Sequence, residues 1–258
     1  MKILHSNIIG DSNKHLIILH GFLGMGDNWK THAKKIAAEG FTLHLLDLRN
    51  HGRSFWDQDF SFDSMAEDIS NYLKFKNISK VDMLGHSMGG NLAIYISNKT
   101  PNILNKIVIV DIVPKKYKNV HQDILSGLKS IDFNLIGSRR EADDKLSSYI
   151  SDERVRHFLL KNLYWKSDHK LGFRCNLDVL YDYSKNSITN KFENPISFKG
   201  PALFLHGKSS NYVNEQDYEL INYHYSNASI IKVPNSGHWL HADNPDFFLE
   251  KTINFLNS

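Results

Sequence analysis

The sequence holds one cysteine, Cys175, among 258 residues. A lone cysteine cannot close an intrachain disulfide, and its chain is expected in a reducing compartment. No apolar stretch approaches the ~20 residues a membrane-spanning helix needs, so no membrane span is expected. The opening Met1-Lys2-Ile3-Leu4-His5-Ser6-Asn7 lacks the apolar core of a secretory signal. A cytoplasmic protein is therefore the expectation. Long runs of one charge sign are also missing. Thirty-one Lys and Arg oppose 28 Asp and Glu, for a formal net charge of +3. That excess is too small and too scattered to point to a nucleic-acid partner. There is no His-Glu-x-x-His segment and no paired cysteine pattern, which argues against a metal centre. No Gly-x-Gly-x-x-Gly loop follows the first strong strand, which argues against a dinucleotide. No cofactor is expected, and nothing in the chain is repetitive or low in complexity.

What the chain does contain is ordinary globular material, 41% hydrophobic and 23% charged. Its length suits one large domain, or one domain with an inserted lid. Short apolar runs alternate with longer helical patterns. The runs are His15–Leu19, Thr42–Leu46, Val81–Leu84, Lys106–Val110, Ala202–Leu205 and Ser229–Val233. Each ends at a Gly, Pro, Asp or His-Gly. Continuous apolar runs suit strands covered on both faces. Helical segments are predicted at about 28–38, 63–76, 87–99, 213–225 and 245–256. This alternation predicts an α/β fold with a mostly parallel, doubly wound sheet. Reactive residues should then sit at the carboxyl ends of the strands. From about Pro114 to Pro195 no strong strand run occurs. Helices are predicted there at about 119–130, 139–150, 152–164 and 176–184. The expected organisation is a core of 1–113 and 196–258, with a helical lid of 114–195 inserted over the strand ends.

Gly85-His86-Ser87-Met88-Gly89-Gly90 contains Gly-x-Ser-x-Gly between a strand and a helical pattern. Its glycines permit a sharp strand-to-helix turn with a strained residue at the tip. Ser87 is the candidate nucleophile, exposed at a helix N-terminus where developing negative charge is favoured. The N–H of Met88, the next residue, is one candidate oxyanion donor. Leu19-His20-Gly21-Phe22-Leu23-Gly24 ends the first strong strand, and Phe22 is the second candidate donor. His20 reads as a loop-shaping histidine, and His86 and Met88 as packing side chains. Among 14 histidines, His238 in Ser236-Gly237-His238-Trp239 stands out. It follows the last predicted strand and takes the final place in the order Ser, acid, His. That makes it the candidate general base.

The acid is less obvious. The strand before His238 leads into Gly207-Lys208-Ser209-Ser210-Asn211, which has no carboxylate. Glu215 and Asp217 come later, where a helix is expected. Asp111, immediately after Lys106–Val110, sits at a strand end and keeps the order, so it is the favoured acid. Ser210 is a candidate partner in the same network. Leu23, Tyr164 and Trp165 are candidate substrate contacts. For the two aromatics, and for Phe173, a second reading is packing within the lid. Asp47-Leu48-Arg49-Asn50-His51-Gly52 reads as a structural turn, with Arg49 paired to Asp47 or to backbone carbonyls.

These segments together resemble the YbfF-type esterases of the α/β-hydrolase superfamily. The resemblance is carried by Leu19–Trp29, Asp47–Ser54, Gly85–Gly90, Asp111-Ile112-Val113-Pro114 and Ser236–Leu240. It spans nearly the whole chain. It implies hydrolysis of a small-molecule acyl ester or acyl-CoA-like thioester without a cofactor. It also implies an acid after the strand that follows the nucleophile, which matches Asp111. A serine is implied where other hydrolases keep an acid, which matches Ser210. The Lys-, Asp- and Asn-rich lid departs from the pattern, so substrate preference does not carry over. The same triad also serves amide or carbon–carbon bond hydrolysis, and the fold also serves non-catalytic ligand receptors. A dehalogenase or epoxide hydrolase is disfavoured, because those need a carboxylate at the position of Ser87.

Overall fold

Strand-forming runs of Leu, Ile and Val pair side by side in the computed structural model, which describes residues 2–117, 121–168, 170–185, 188–189, 192 and 194–258. The first half runs β1 (Ser6–Ile9), β2 (His15–Leu19), α1 (Lys30–Ala37), β3 (Thr42–Leu46), α2 (Phe62–Phe75), β4 (Val81–His86), α3 (Met88–Lys99) and β5 (Leu104–Val110). A long insertion follows: β6 (Lys116–Tyr117), α4 (Gln122–Lys129), α5 (Arg139–Ser147), α6 (Glu153–Leu160), β7 (Leu163–Ser167), β8 (Lys170–Phe173), α7 (Leu177–Ser184) and β9 (Ile188–Thr189). The chain then re-enters the sheet with β10 (Ala202–Gly207), α8 (Asp217–His224), β11 (Ala228–Val233), α9 (Leu240–Asp243) and α10 (Pro245–Asn257).

The main sheet has seven strands in the order β1-β3-β2-β4-β5-β10-β11. All pairings are parallel except β1 with β3. Side chains alternate across it, as the strand period of two requires. Leu16 and Ile18 face a layer built with Ala33, Ile36, Phe248 and Leu256 of α1 and α10. Ile17 and Leu19 face the other layer, with Met65, Ile69, Leu92 and Ile96 of α2 and α3. Fully burying each such aliphatic side chain contributes about 1.5–3 kcal/mol. This two-sided burial is why the strands read as unbroken apolar runs.

Strands depart from the sequence expectation at β1, at the short β6–β9 pair and at the β7–β8 hairpin. β1 carries no apolar run: Ser6 and Asn7 make it polar, and this edge strand is only half-buried or exposed. In the insertion, the helix expected over 152–164 stops at Leu160, and β7 and β8 form an antiparallel hairpin. Only Leu163, Leu171, Gly172 and Phe173 of that hairpin are buried, too few to stand out. The other insertion helices fall where the periodicity puts them, and Asp152 caps α6 by accepting from the N–H groups of Arg154 and Val155. Positions 119 and 120 of the expected helix 119–130 lie outside the described residues. Apolar residues of the insertion, including Leu125, Leu128, Leu159 and Leu160, join the same core layer as α2 and α3. No helix among the described residues is long and apolar enough to cross a membrane.

Candidate active site

The strand ends bring four loops together. At the first, β4 passes into α3 through Ser87, whose φ of 53° and ψ of −115° lie outside the ordinary basins. Backbone bonds on both sides over-determine this strained residue. Its N–H donates to Val110 O at 3.0 Å, and its C=O accepts from Asn91 N–H at 2.9 Å. The flanking glycines are needed for close approach. A Cβ on Gly89 would sit 2.3 Å from Leu19 O, and one on Gly85 would sit 2.2 Å from Gly89 O. So the Gly-x-Ser-x-Gly spacing is a packing requirement as well as a turn requirement.

The second loop joins β2 to the following turn. Gly24 N–H donates to Gly21 O at 2.9 Å, closing a turn over Phe22 and Leu23. Neither the Phe22 nor the Met88 N–H has a protein acceptor among the described residues. Two histidines hold this loop. Leu23 N–H donates to His51 Nε2 at 3.2 Å, and Leu48 N–H donates to His20 Nε2 at 3.0 Å. An accepting Nε2 fixes the proton on Nδ1, and each Nδ1–H then donates to a carbonyl, Arg49 O and Gly21 O respectively. Both rings must be neutral for this. Burial drives their pKa down, to about 4 for His20 and about 3 for His51. His20 is thus the loop-shaping residue that the sequence suggested.

In the unfolded chain these histidines titrate near 6.5. As pH falls below that value the unfolded state takes up protons that the folded state refuses. The folded state is therefore favoured above about pH 6.5 and loses stability towards pH 4, by up to about 1.4 kcal/mol per pH unit per histidine. Thermal unfolding between pH 7.5 and 5 should show Tm falling on acidification. His51→Gln, whose side-chain oxygen still accepts, should flatten that slope. An unchanged slope in the variant would remove His51 from the account.

The third and fourth loops follow β5 and β11. Asp111 is fully buried at the end of β5, with a φ of 55°. Its Oδ2 accepts from His238 Nδ1–H at 2.7 Å and from Ser210 Oγ–H at 2.5 Å; its Oδ1 accepts from Gly207 N–H at 3.0 Å. Ser210 is itself fixed, because its Oγ accepts from Tyr212 N–H at 3.1 Å. The Tyr212 ring stacks on the His238 imidazole with centroids 3.9 Å apart and planes 17° apart. Behind it, His86 Nε2–H donates to His238 O at 2.9 Å. The His238 ring is thus gripped at its face, at Nδ1 and at its backbone, leaving Nε2 as its uncommitted nitrogen. Glu215 and Asp217 are not part of this network. Exposed Glu215 pairs with Lys232, and Asp217 pairs with Lys115 at 2.7 Å and accepts from Asn214 N–H.

Ser87, His238, Phe22 and Leu23 line one cavity. Its apolar wall comes largely from the insertion: Ile124 on α4, and Val155, Phe158 and Leu159 on α6, with Trp239 beside His238. The α6 residues were not singled out from the sequence. Their signal was there, an apolar stripe at i, i+3 and i+4, but such a stripe also fits plain core packing. Tyr164 and Trp165 are not brought to this cavity. Both lie on β7; Trp165 is 61% exposed, and Tyr164 lies under the Arg174 guanidinium, 4.4 Å from its ring centre. Strand geometry places them on the outer hairpin, where a continued helix would have carried them elsewhere. Phe173 packs against Phe133. Arg49 reaches backbone carbonyls of Asp59 and Ser64, but its carboxylate partner is Asp68, at 2.6 Å, rather than Asp47. Asp47 instead accepts from the N–H groups of Gly26 and Arg53. Cys175 is buried, which pushes its thiol up to about 12.

The chain has relatives among known proteins. Residues 14–134 match a family model described as alpha/beta hydrolase fold. The sn-1-specific diacylglycerol lipase ABHD11 of Danio rerio is 34% identical over 255 residues, covering 96% of this chain and 79% of that protein. Esterase YbfF of Escherichia coli is 28% identical over 247 residues, covering 95% and 94%. A solved structure of a marine microorganism esterase superposes with a TM-score of 0.91 at 37% identity, covering 99% of this chain and all of that one.

Proposed function

This chain belongs to the α/β-hydrolase family, and on that premise we propose that it is a serine hydrolase of carboxylic esters or acyl thioesters, acting through an acyl-enzyme on Ser87. The observation that carries the reading is the His238–Asp111 bond beside the cavity that Ser87 lines. The esterase and lipase names of its relatives support ester substrates.

In this reading His238 Nε2 takes the Ser87 proton as Oγ attacks the acyl carbon. Asp111 keeps the other proton on Nδ1 and stabilises the imidazolium. The N–H groups of Phe22 and Met88 receive the oxyanion, each worth a few kcal/mol of barrier. The tetrahedral adduct collapses, and His238 returns the proton to the departing alkoxide or thiolate. Water then attacks the acyl-enzyme with His238 again as base, and the carboxylic acid leaves. The insertion, residues 114–195, acts as the lid, with Ile124, Val155, Phe158 and Leu159 as the wall for the acyl group. No step needs a cofactor.

The test is hydrolysis of p-nitrophenyl acetate, butyrate and octanoate and of the matching acyl-CoA thioesters, with Ser87→Ala as the blank. Ser87-dependent turnover is expected on at least the esters, and its chain-length profile measures the apolar wall. Absence of turnover on all of them would shift the reaction to amides or carbon–carbon bonds. Absence of fluorophosphonate labelling as well would leave a ligand receptor.

A further inference from the structure

We infer that Asn162, on the link between α6 and β7, is a positioning residue that locks the oxyanion loop in its working shape. The inference rests on the hydrolase reading of the same site. Leu23 stands at the third position of the turn closed by Gly24 N–H and Gly21 O. Its φ is 60°. A turn of this kind calls for glycine at that position, because a side chain there is strained. Leucine adopts the conformation only if its surroundings impose it.

The structure shows what imposes it. Leu23 N–H is held by His51 Nε2 from the core, and Leu23 C=O accepts from Asn162 Nδ2 at 2.7 Å from the insertion. Both faces of the strained residue are therefore pinned, one by each part of the chain. Asn162 is 1% exposed and is fixed by its own neighbours. Its N–H donates to Leu159 O, its C=O accepts from Arg174 N–H at 2.9 Å, and Nδ2 donates a second bond to Leu159 O at 3.1 Å. The amide orientation is unambiguous, since both groups facing Nδ2 are carbonyls. It leaves Asn162 Oδ1 buried without a partner among the described residues.

The consequence is mechanical. If Leu23 relaxed to negative φ, the Phe22–Leu23 peptide would flip, and the Phe22 N–H beside it would lose its fixed direction. The insertion therefore does more than cover the cavity. Its seated position supplies the bond that completes the oxyanion loop, and lifting it would loosen the hole.

Steady-state kinetics on p-nitrophenyl butyrate test this, together with inhibition by butaneboronic acid, whose serine adduct presents a negative oxygen to the hole. Asn162→Ala should lower kcat by about 10- to 100-fold, the scale of a donor displaced without being removed. KM should stay within about twofold of native, and the boronic acid inhibition constant should rise by the same factor as kcat falls. A merely structural role would move KM and stability without this match. Asn162→Ser, whose shorter hydroxyl does not reach Leu23 O, gives the same readout should the alanine variant not fold. If either folded variant keeps native kcat, or if the inhibition constant does not follow kcat, the clamp is wrong and the hydrolase reading stands. A native protein with no Ser87-dependent turnover removes both.

Discussion

On the proposed mechanism Ser87→Ala should lower kcat on p-nitrophenyl butyrate by about a million-fold, the loss seen when the nucleophile of a serine triad is removed. The alanine keeps the cavity and the N–H groups of Phe22 and Met88, so if these form the proposed oxyanion hole it should retain only the ~10³- to 10⁴-fold advantage over water that binding and the hole supply. Stability should hardly change. The Ser87 loop is fixed by its backbone bonds to Val110 O and Asn91 N–H, which alanine keeps. Alanine also occupies the same strained φ and ψ as serine. Tm should therefore stay within about 2 °C of native. Stopped-flow release of p-nitrophenolate with thermal unfolding of the same sample separates the two effects. Native-like turnover in the variant would mean that Ser87 is not the nucleophile.

The Ser87 turn is readable from sequence because a candidate nucleophile and a demanding backbone turn fall in one motif. Gly85 and Gly89 are there for close approach, and the same glycines make the motif visible. The core strands are readable for a similar reason. Burial on both faces turns them into unbroken runs of Leu, Ile and Val. β1 is at an edge, and the β7–β8 hairpin lies on the outside of the insertion, so neither carries such a run. The Asp111–His238 pairing was inferable from chain order and strand ends alone, because parallel strands bring their carboxyl ends together. What was not legible are the contacts that order side chains across long separations. Tyr212 stacking on His238, Asp68 meeting Arg49 and Asn162 reaching Leu23 leave no periodic trace. Tyr164 and Trp165 show the converse. These aromatic residues of the insertion, expected at the cavity, sit instead on a hairpin of which only a few residues are buried.

On the same mechanism Asp111→Asn should lower kcat by about 10⁴-fold while leaving His238 in place. The loss comes from the tautomer. Asp111 Oδ2 accepts the proton on His238 Nδ1, which leaves Nε2 with a lone pair to take the serine proton. An asparagine that turns its NH2 towards Nδ1 forces the proton onto Nε2, where it blocks the base. Turning its oxygen to Nδ1 instead presents the NH2 to Gly207 N–H, which now donates to Oδ1. The first arrangement leaves a donor facing Ser210 Oγ, which can reverse to accept, while the second opposes two donors that cannot. The blocked tautomer is therefore the favoured one. Ser210→Ala should cost far less, because Gly207 N–H and His238 still hold the carboxylate. Glu215→Gln should leave kcat at the native value, since its carboxylate is exposed and paired with Lys232. Equal activity for Asp111→Asn and native protein, with loss in Glu215→Gln, would reverse the assignment of the acid. Loss in the first alone ties the tautomer of His238 to the one carboxylate that β5 delivers to it.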